Sequence, residues 1–242
     1  MIKKAIILGS TSGIGEELAR KLAENGFMVG VTGRRAERLE LLKLENPDTF
    51  RTKYLDISDL STLAKNLDEL TSELGGLDLL VISSAIYEYS DDLNFESEKR
   101  VIDVNVSGFT RAADWAFHYF SKQNYGQIAA ITSISGLRGS AMASAYSASK
   151  AFQINYLQAL RQRAVQLALP IAITDIRPGT IDTNMAKDKT GIFGKSSARE
   201  TATQIYRAIK YKRKMVYVTK RWVVAGFALR LIPAFIYNKM KV

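Results

Sequence analysis

The stretch Lys3-Lys4-Ala5-Ile6-Ile7-Leu8-Gly9-Ser10-Thr11-Ser12-Gly13-Ile14-Gly15 decides how this chain is read. An apolar run of strand length feeds a loop with glycine at positions 9, 13 and 15, and beyond it Ile14, Leu18 and Leu22 recur on one helix face. Strand, glycine turn and helix in that order place free amides at a helix N-terminus, where the charge of a pyrophosphate is favoured, and the glycines let the backbone approach it. No Gly-Lys-Ser or Gly-Lys-Thr follows, which disfavours a nucleotide-hydrolysing phosphate loop. The unit reads as a dinucleotide cradle.

Outward from it, strand-like runs at 3–8, 27–32, 50–55, 77–83, 127–132, 171–176 and 215–219 alternate with helical periods. Leu39, Leu42 and Leu44 begin one stripe, and Leu60, Leu63, Leu67 and Leu70 form another. That alternation predicts an α/β chain with a parallel sheet covered on both faces. Ligands of such sheets bind at the carboxyl ends of the strands, where strand order reverses. With 242 residues and no linker-like run or repeat, one domain is expected, with 1–219 as its body and 220–242 as an apolar, basic extension.

Composition narrows the chemistry. The chain has no cysteine, which removes disulfides, thiolate catalysis and thiolate metal sites and fits a cytoplasmic protein. With His118 as its one histidine, a zinc site is not expected. Residues 1–9 are too short in apolar character for a signal peptide and read as the first strand. The net charge of +10 suits anionic partners, among them a phosphorylated cofactor or an acidic lipid surface. The basic residues are dispersed and accompany no nucleic-acid-binding motif, so no nucleic-acid role is expected.

The second strand runs into Gly33-Arg34-Arg35, where an NAD site would place an acidic residue for the ribose 2′-hydroxyl. Two guanidiniums suit a 2′-phosphate instead, which predicts preference for NADP(H) over NAD(H); the alternative is two arginines at an exposed helix start. Asp56, after the third strand, could accept a hydrogen bond from the adenine amino group or could serve the next helix as a cap.

The sequence holds three Tyr-x-x-x-Lys pairs, Tyr146/Lys150, Tyr206/Lys210 and Tyr237/Lys241. Only the first has a serine, Ser133, thirteen residues upstream at the end of a strand-like run. A helix over about 144–168 would point Tyr146 and Lys150 the same way. A free phenol titrates near 10, so neutral-pH acid/base work requires about 3–4 kcal/mol of added preference for phenolate, and a fixed cation acts in that direction.

These motifs together resemble the short-chain dehydrogenase/reductase family over at least residues 1–220: Gly9-x-x-x-Gly13-x-Gly15, Asp56, Asn105 in Asp-Val-Asn-Val-Ser-Gly, Ser133, Tyr146-x-x-x-Lys150, and Arg177-Pro-Gly-Thr-Ile-Asp-Thr183. The resemblance implies a Rossmann-type, doubly wound sheet of about seven strands and an oxidoreductase passing a hydride between nicotinamide and a carbonyl/alcohol substrate. By that resemblance Tyr146 is the general acid/base and Ser133 bonds the substrate carbonyl. Lys150 binds the nicotinamide ribose and lowers the tyrosine pKa, and Asn105 holds a water in a proton relay. Ile181 and Thr183 meet the carboxamide, with Ser84, Ala85, Pro178 and Gly179 also against the cofactor. The family usually has Asn-Asn-Ala-Gly after the fourth strand; here Ser83-Ser84-Ala85-Ile86 puts a branched side chain where glycine lets backbone lie close to cofactor. A silent dinucleotide-binding sensor or scaffold is therefore the alternative function.

Other segments carry weaker expectations. The aromatic run Trp115-Ala116-Phe117-His118-Tyr119-Phe120 reads as core or subunit contact, and the pattern from 109 to 120 predicts a homodimer or homotetramer. Ser197-Ala198-Arg199-Glu200 reads as a helix-starting capping box. The loop over 184–196, with Met185, Ile192, Phe193, Gly191 and Gly194, could be a lid over substrate. In the tail, Pro233 and the short apolar run argue against a membrane span. Lys220, Arg221, Arg230, Lys239 and Lys241 around Trp222, Phe227, Phe235 and Tyr237 fit peripheral contact with an anionic membrane; cover for a subunit interface or the substrate pocket is the competing reading.

Overall fold

The computed structural model describes residues 2–89, 92–182, 196–219 and 221–240. The strands β1 (Lys3–Leu8), β2 (Phe27–Gly33), β3 (Phe50–Tyr54), β4 (Leu79–Ile82), β5 (Gly126–Ile131) and β6 (Ile171–Pro178) alternate with α1 (Gly13–Ala23), α2 (Ala36–Glu45), α3 (Leu60–Leu74), α4 (Phe95–Ile102), α5 (Phe109–Gln123) and α6 (Ser144–Gln166). The two-residue strands β7 (Ile181–Asp182) and β8 (Ser196–Ser197) pair with each other and lead into α7 (Ala198–Lys210). After β9 (Met215–Val218) come α8 (Arg221–Leu231) and α9 (Ala234–Tyr237).

The seven long strands form one all-parallel sheet in the order β3-β2-β1-β4-β5-β6-β9. Because successive strand residues face opposite sides, Ala5 and Ile7 of β1 enter one core with Leu18 and Leu22 of α1 and Ile205 of α7. Ile6 and Leu8 enter the other, with Leu63, Leu67 and Leu70 of α3 and Phe109 of α5. Each fully buried leucine, isoleucine or phenylalanine among these stabilises the fold by about 1.5–3 kcal/mol. Strand order reverses between β1 and β4, so a crevice opens there beyond the carboxyl ends. The predicted fold class is the one observed, although Leu44 and Leu60 of the expected stripes lie outside the core, 67% and 43% exposed.

Between α4 and α5 the chain does not break. Residues Asp103–Gly108 form a π-helical segment, a wider turn that rotates the following side chains and recurs at functional sites. It brings Asn105 inward, fully buried, while Gly108 presses so close to the third-strand loop that an added Cβ would stand 2.4 Å from the Ile57 carbonyl oxygen. The aromatic run of α5 is core: Trp115, Phe117 and Phe120 are buried, and the Trp115 indole donates to Asp68 at 2.8 Å. His118 points outward beside Asp114.

Candidate active site

The cradle has the shape that its glycines predict. Gly9 has φ +82°, in the left-handed region, and a Cβ on Gly15 would stand 2.0 Å from the Gly9 carbonyl oxygen, so the first turn of α1 closes on the end of β1 only if residue 15 is glycine. A cleft of about 530 Å³ runs from here across the strand ends, lined by Gly9, Thr11, Ser12, Gly13 and Ile14 on one side. Ser10 is not on its wall: fully buried, its hydroxyl accepts from Thr32 N at 2.8 Å and pins β1 to β2. Gly15 likewise acts through close packing against Gly9.

Arg34, Arg35 and Asp56 also line this cleft. The Arg35 guanidinium donates to Thr11 Oγ1 at 2.8 Å and Ser12 Oγ at 2.7 Å, which folds it over the glycine loop. Arg34 is more open, 59% exposed, with Asp56 at 3.6 Å. Asp56 accepts from both the backbone and the hydroxyl of Ser58, at 2.9 and 2.6 Å, while Asp59 caps α3. It therefore shapes the turn before the helix without being its cap.

At the centre of the cleft Tyr146 and Lys150 stand one turn apart on α6, with Ser133 at the end of the fifth-strand segment. The helix begins without a side-chain cap of its own; Glu98 of α4 supplies the acceptor, taking the Ala145 amide at 2.8 Å. Burial pushes the Tyr146 phenol up to about 12, with the Ser133 hydroxyl hydrogen-bonded to it pulling down and Tyr87 pushing up. The Tyr87 ring meets it edge-on, 4.9 Å between centroids. Burial also brings Lys150 down to about 7 against the opposing field of Asp175. The expected lowering of the tyrosine by the lysine is thus absent from the free site, because burial disfavours both charged forms.

Lys150 donates to the Ile131 carbonyl and to Gln153 Oε1, each at 3.0 Å. Asn105 lies beneath the cleft wall. Its amide accepts from Ile86 N and donates to Ile86 O, both at 2.9 Å, and its main-chain carbonyl takes Gln153 Nε2 at 2.7 Å. Ile86 is held by its backbone N–H and C=O, and its partly buried side chain packs against the core while still lining the cleft beside Ser84 and Ala85. Gln153, Glu98 and Tyr87 were not singled out from the sequence.

The far wall is Pro178, Gly179 and Ile181; Thr183 and the loop through 195 lie outside the described residues. Trp222 of the tail, 7% exposed, packs on Gly179, where an added Cβ would stand 1.9 Å from its ring. Tyr237 donates to the Gly139 carbonyl, and Arg138 lies 4.4 Å from its ring centroid while bonding the Ile232 carbonyl at 3.0 Å. Trp222 and Tyr237 are therefore not free to enter a membrane. Phe227 and Phe235 remain 66% and 70% exposed.

Residues 3–191 match the family model described as short chain dehydrogenase. Nodulation protein G of Rhizobium sp. (strain N33) is 27% identical over 95% of this chain and 98% of its own. The 11-beta-hydroxysteroid dehydrogenase-like 4A protein of Arabidopsis thaliana is 29% identical over 99% and 84%. Among solved structures, a short-chain dehydrogenase from Streptomyces avermitilis superposes with a TM-score of 0.83 at 21% identity, covering 95% of this chain and 93% of that one. ElxO with NADP bound superposes with 0.78 at 20% identity, covering 90% and 97%. With a glycine cradle at the strand-order switch and a family match spanning most of its length, this chain belongs to the short-chain dehydrogenase family and is an NAD(P)-dependent oxidoreductase.

Proposed function

We propose that the protein is an NADP(H)-dependent reductase of a small-molecule carbonyl, with Tyr146 as the proton donor to the carbonyl oxygen. The observation that carries this is the convergence of Ser133, Tyr146 and Lys150 on one stretch of the cleft. Gly9, Gly13 and the free amides of α1 fit a pyrophosphate, Arg34 and Arg35 fit a 2′-phosphate, and Lys150, on the same cleft, would hold the nicotinamide ribose. When bound, the nicotinamide supplies the hydride.

The chain's own residues handle the proton. Ser133 donates to the substrate oxygen as negative charge grows on it, and Tyr146 gives its phenolic proton to the same atom. A phenol pushed up by burial is protonated at neutral pH, the form that serves as the acid in reduction; in the reverse direction the same group is the base. Lys150 supplies positive charge beside the resulting phenolate.

Turnover of a panel of aliphatic, aromatic and steroid carbonyls with NADPH tests the reading. Tyr146→Phe should leave NADPH binding intact and abolish reduction; unchanged turnover refutes the proton transfer. Tight binding with no turnover of any carbonyl by the unaltered protein would favour the silent sensor. Arg34→Ala should weaken NADPH by about 10–100-fold, the worth of a charge-assisted bond, and NADH little. Equal losses would remove the 2′-phosphate argument.

The tail supports one further partner. Val224, Phe227, Leu231 and Phe235 are exposed on α8 and α9, with Arg230 and Lys239 exposed beside them, an arrangement suited to anionic headgroups. Phosphatidylserine vesicles should pellet the protein, and Phe227→Asp with Phe235→Asp should release it. A soluble homodimer whose association those substitutions abolish, without vesicle binding, would assign the patch to a second copy.

A further inference from the structure

The acid/base pair of a buried site needs something to aim its lysine. An ammonium has three donors on a flexible stem, and in an apolar pocket each unused donor costs free energy. Lys150, 1% exposed, spends one on the Ile131 carbonyl and one on Gln153 Oε1. Gln153 is equally buried, and its amide nitrogen donates at 2.7 Å to the main-chain carbonyl of Asn105. That is the neighbourhood in which the family resemblance expects Asn105 to hold a water.

We propose that Gln153 is a positioning residue of the acid/base pair: its amide spans from the Lys150 ammonium to the Asn105 carbonyl, fixing the direction of the ammonium and closing its inner side to water. The proposal rests on the reading of Tyr146 and Lys150 as the proton-handling pair.

Three facts support it. Gln153 sits three residues after Lys150, one turn of α6 further along, so a single helix face carries the phenol, the ammonium and the amide. The amide is engaged at both ends, its oxygen by a donor that only an oxygen can meet and its nitrogen by an acceptor that only an N–H can meet, so its orientation is determined by its neighbours. The Asn105 carbonyl is available to it where the π-helical segment widens the turn. An amide bridge also differs from a water bridge in what it can pass on. A proton entering at the amide oxygen could leave from the nitrogen only through the imidic acid tautomer, so this bridge orients without relaying.

The groups that face Lys150 are Tyr146 on its own helix, with Ser133 behind the phenol, and the carboxylate of Asp175 on β6, whose field raises its pKa. Asp175 is paired with Arg177 at 2.6 Å. Gln153 is uncharged, so replacing it changes hydrogen bonding to the ammonium without altering these charges.

The test follows the lysine itself, with no substrate or cofactor present. Protein labelled with carbon-13 at lysine Cε is titrated by NMR, the Lys150 resonance being assigned by its loss in Lys150→Arg. Gln153→Leu removes the acceptor and should lower the Lys150 midpoint by about 1–2 pH units, whereas Gln153→Glu keeps the shape, adds charge and should raise it. A merely structural role would shift thermal stability and leave the midpoint in place. If Gln153→Leu does not fold, Gln153→Met, uncharged and of the same length but without the amide acceptor, carries the test and should lower the midpoint likewise. A midpoint that stays within 0.2 units, or roughly the error of such a titration, in every folded variant overturns the proposal. Since the readout needs no turnover, its failure is distinct from failure of the Tyr146→Phe experiment.

Discussion

Replacing Lys150 by methionine should stabilise the free protein at neutral pH and destabilise it at high pH. Burial lowers Lys150 from 10.5 to about 7 in the folded state. Between those two values the unfolded chain binds the proton and the folded one does not, so stability rises with pH by about 1.4 kcal/mol per unit. Below pH 7 the full penalty is present, about 5 kcal/mol; above 10.5 it is gone. Methionine removes that penalty but leaves the Ile131 carbonyl and Gln153 Oε1 without their donor, a loss of about 1–3 kcal/mol. The variant should therefore be more stable by about 2–4 kcal/mol at pH 7, equal near pH 9, and less stable by about 1–3 kcal/mol at pH 10.5. Tyr146, raised to about 12, begins to contribute only above pH 10, where unfolding would release its proton and stability falls. Urea unfolding followed by tryptophan fluorescence at a series of pH values reads the difference between the two proteins, in which all other titrations cancel. A difference that does not change with pH, or a variant less stable at pH 7, refutes the reasoning. The penalty is a sizeable share of the 5–15 kcal/mol that typically holds a domain together, so a lysine kept here at that cost serves something other than folding.

Two other substitutions probe the frame around the pair. Asp175→Asn leaves Arg177 buried without its counter-ion, which should destabilise the fold by about 3–5 kcal/mol in urea titrations and also lower the Lys150 midpoint, since the Asp175 field raises it. Gly179→Ala puts a methyl into the Trp222 ring, so the tail must move; a shifted tryptophan emission maximum and weaker NADPH binding are expected, and an unchanged spectrum would mean the ring is not seated there.

What the sequence disclosed and what it withheld divide along a physical line. Strand and helix existence follow from periodicity within a few residues, and the runs at 3–8, 27–32 and 171–176 lie inside observed strands. The fourth strand shrank from 77–83 to Leu79–Ile82 because its ladder with β1 engages only Ala5 to Leu8. Motif spacing placed Tyr146 and Lys150 because both lie on one helix, and the Ser197 capping bond to Glu200 N, at 3.2 Å, because a cap is local. Contacts made across the fold carry no such signature. Glu98 reaches Ala145 from 47 residues away, and Gln153 reaches Asn105 from 48.

Ile86 shows why this division matters for chemistry. Read locally, a branched residue in the place of glycine threatens the backbone beside the cofactor. In three dimensions its peptide is held in both directions by Asn105, the residue whose own carbonyl is held by Gln153, which in turn fixes Lys150. The altered strand end, the π-helical segment and the acid/base helix are thus joined through one side chain after another. Residue 86 therefore meets two things at once: its side chain lines the cleft, and its backbone N–H and C=O, which any residue would offer, hold the Asn105 amide that leads on to the proton-handling pair.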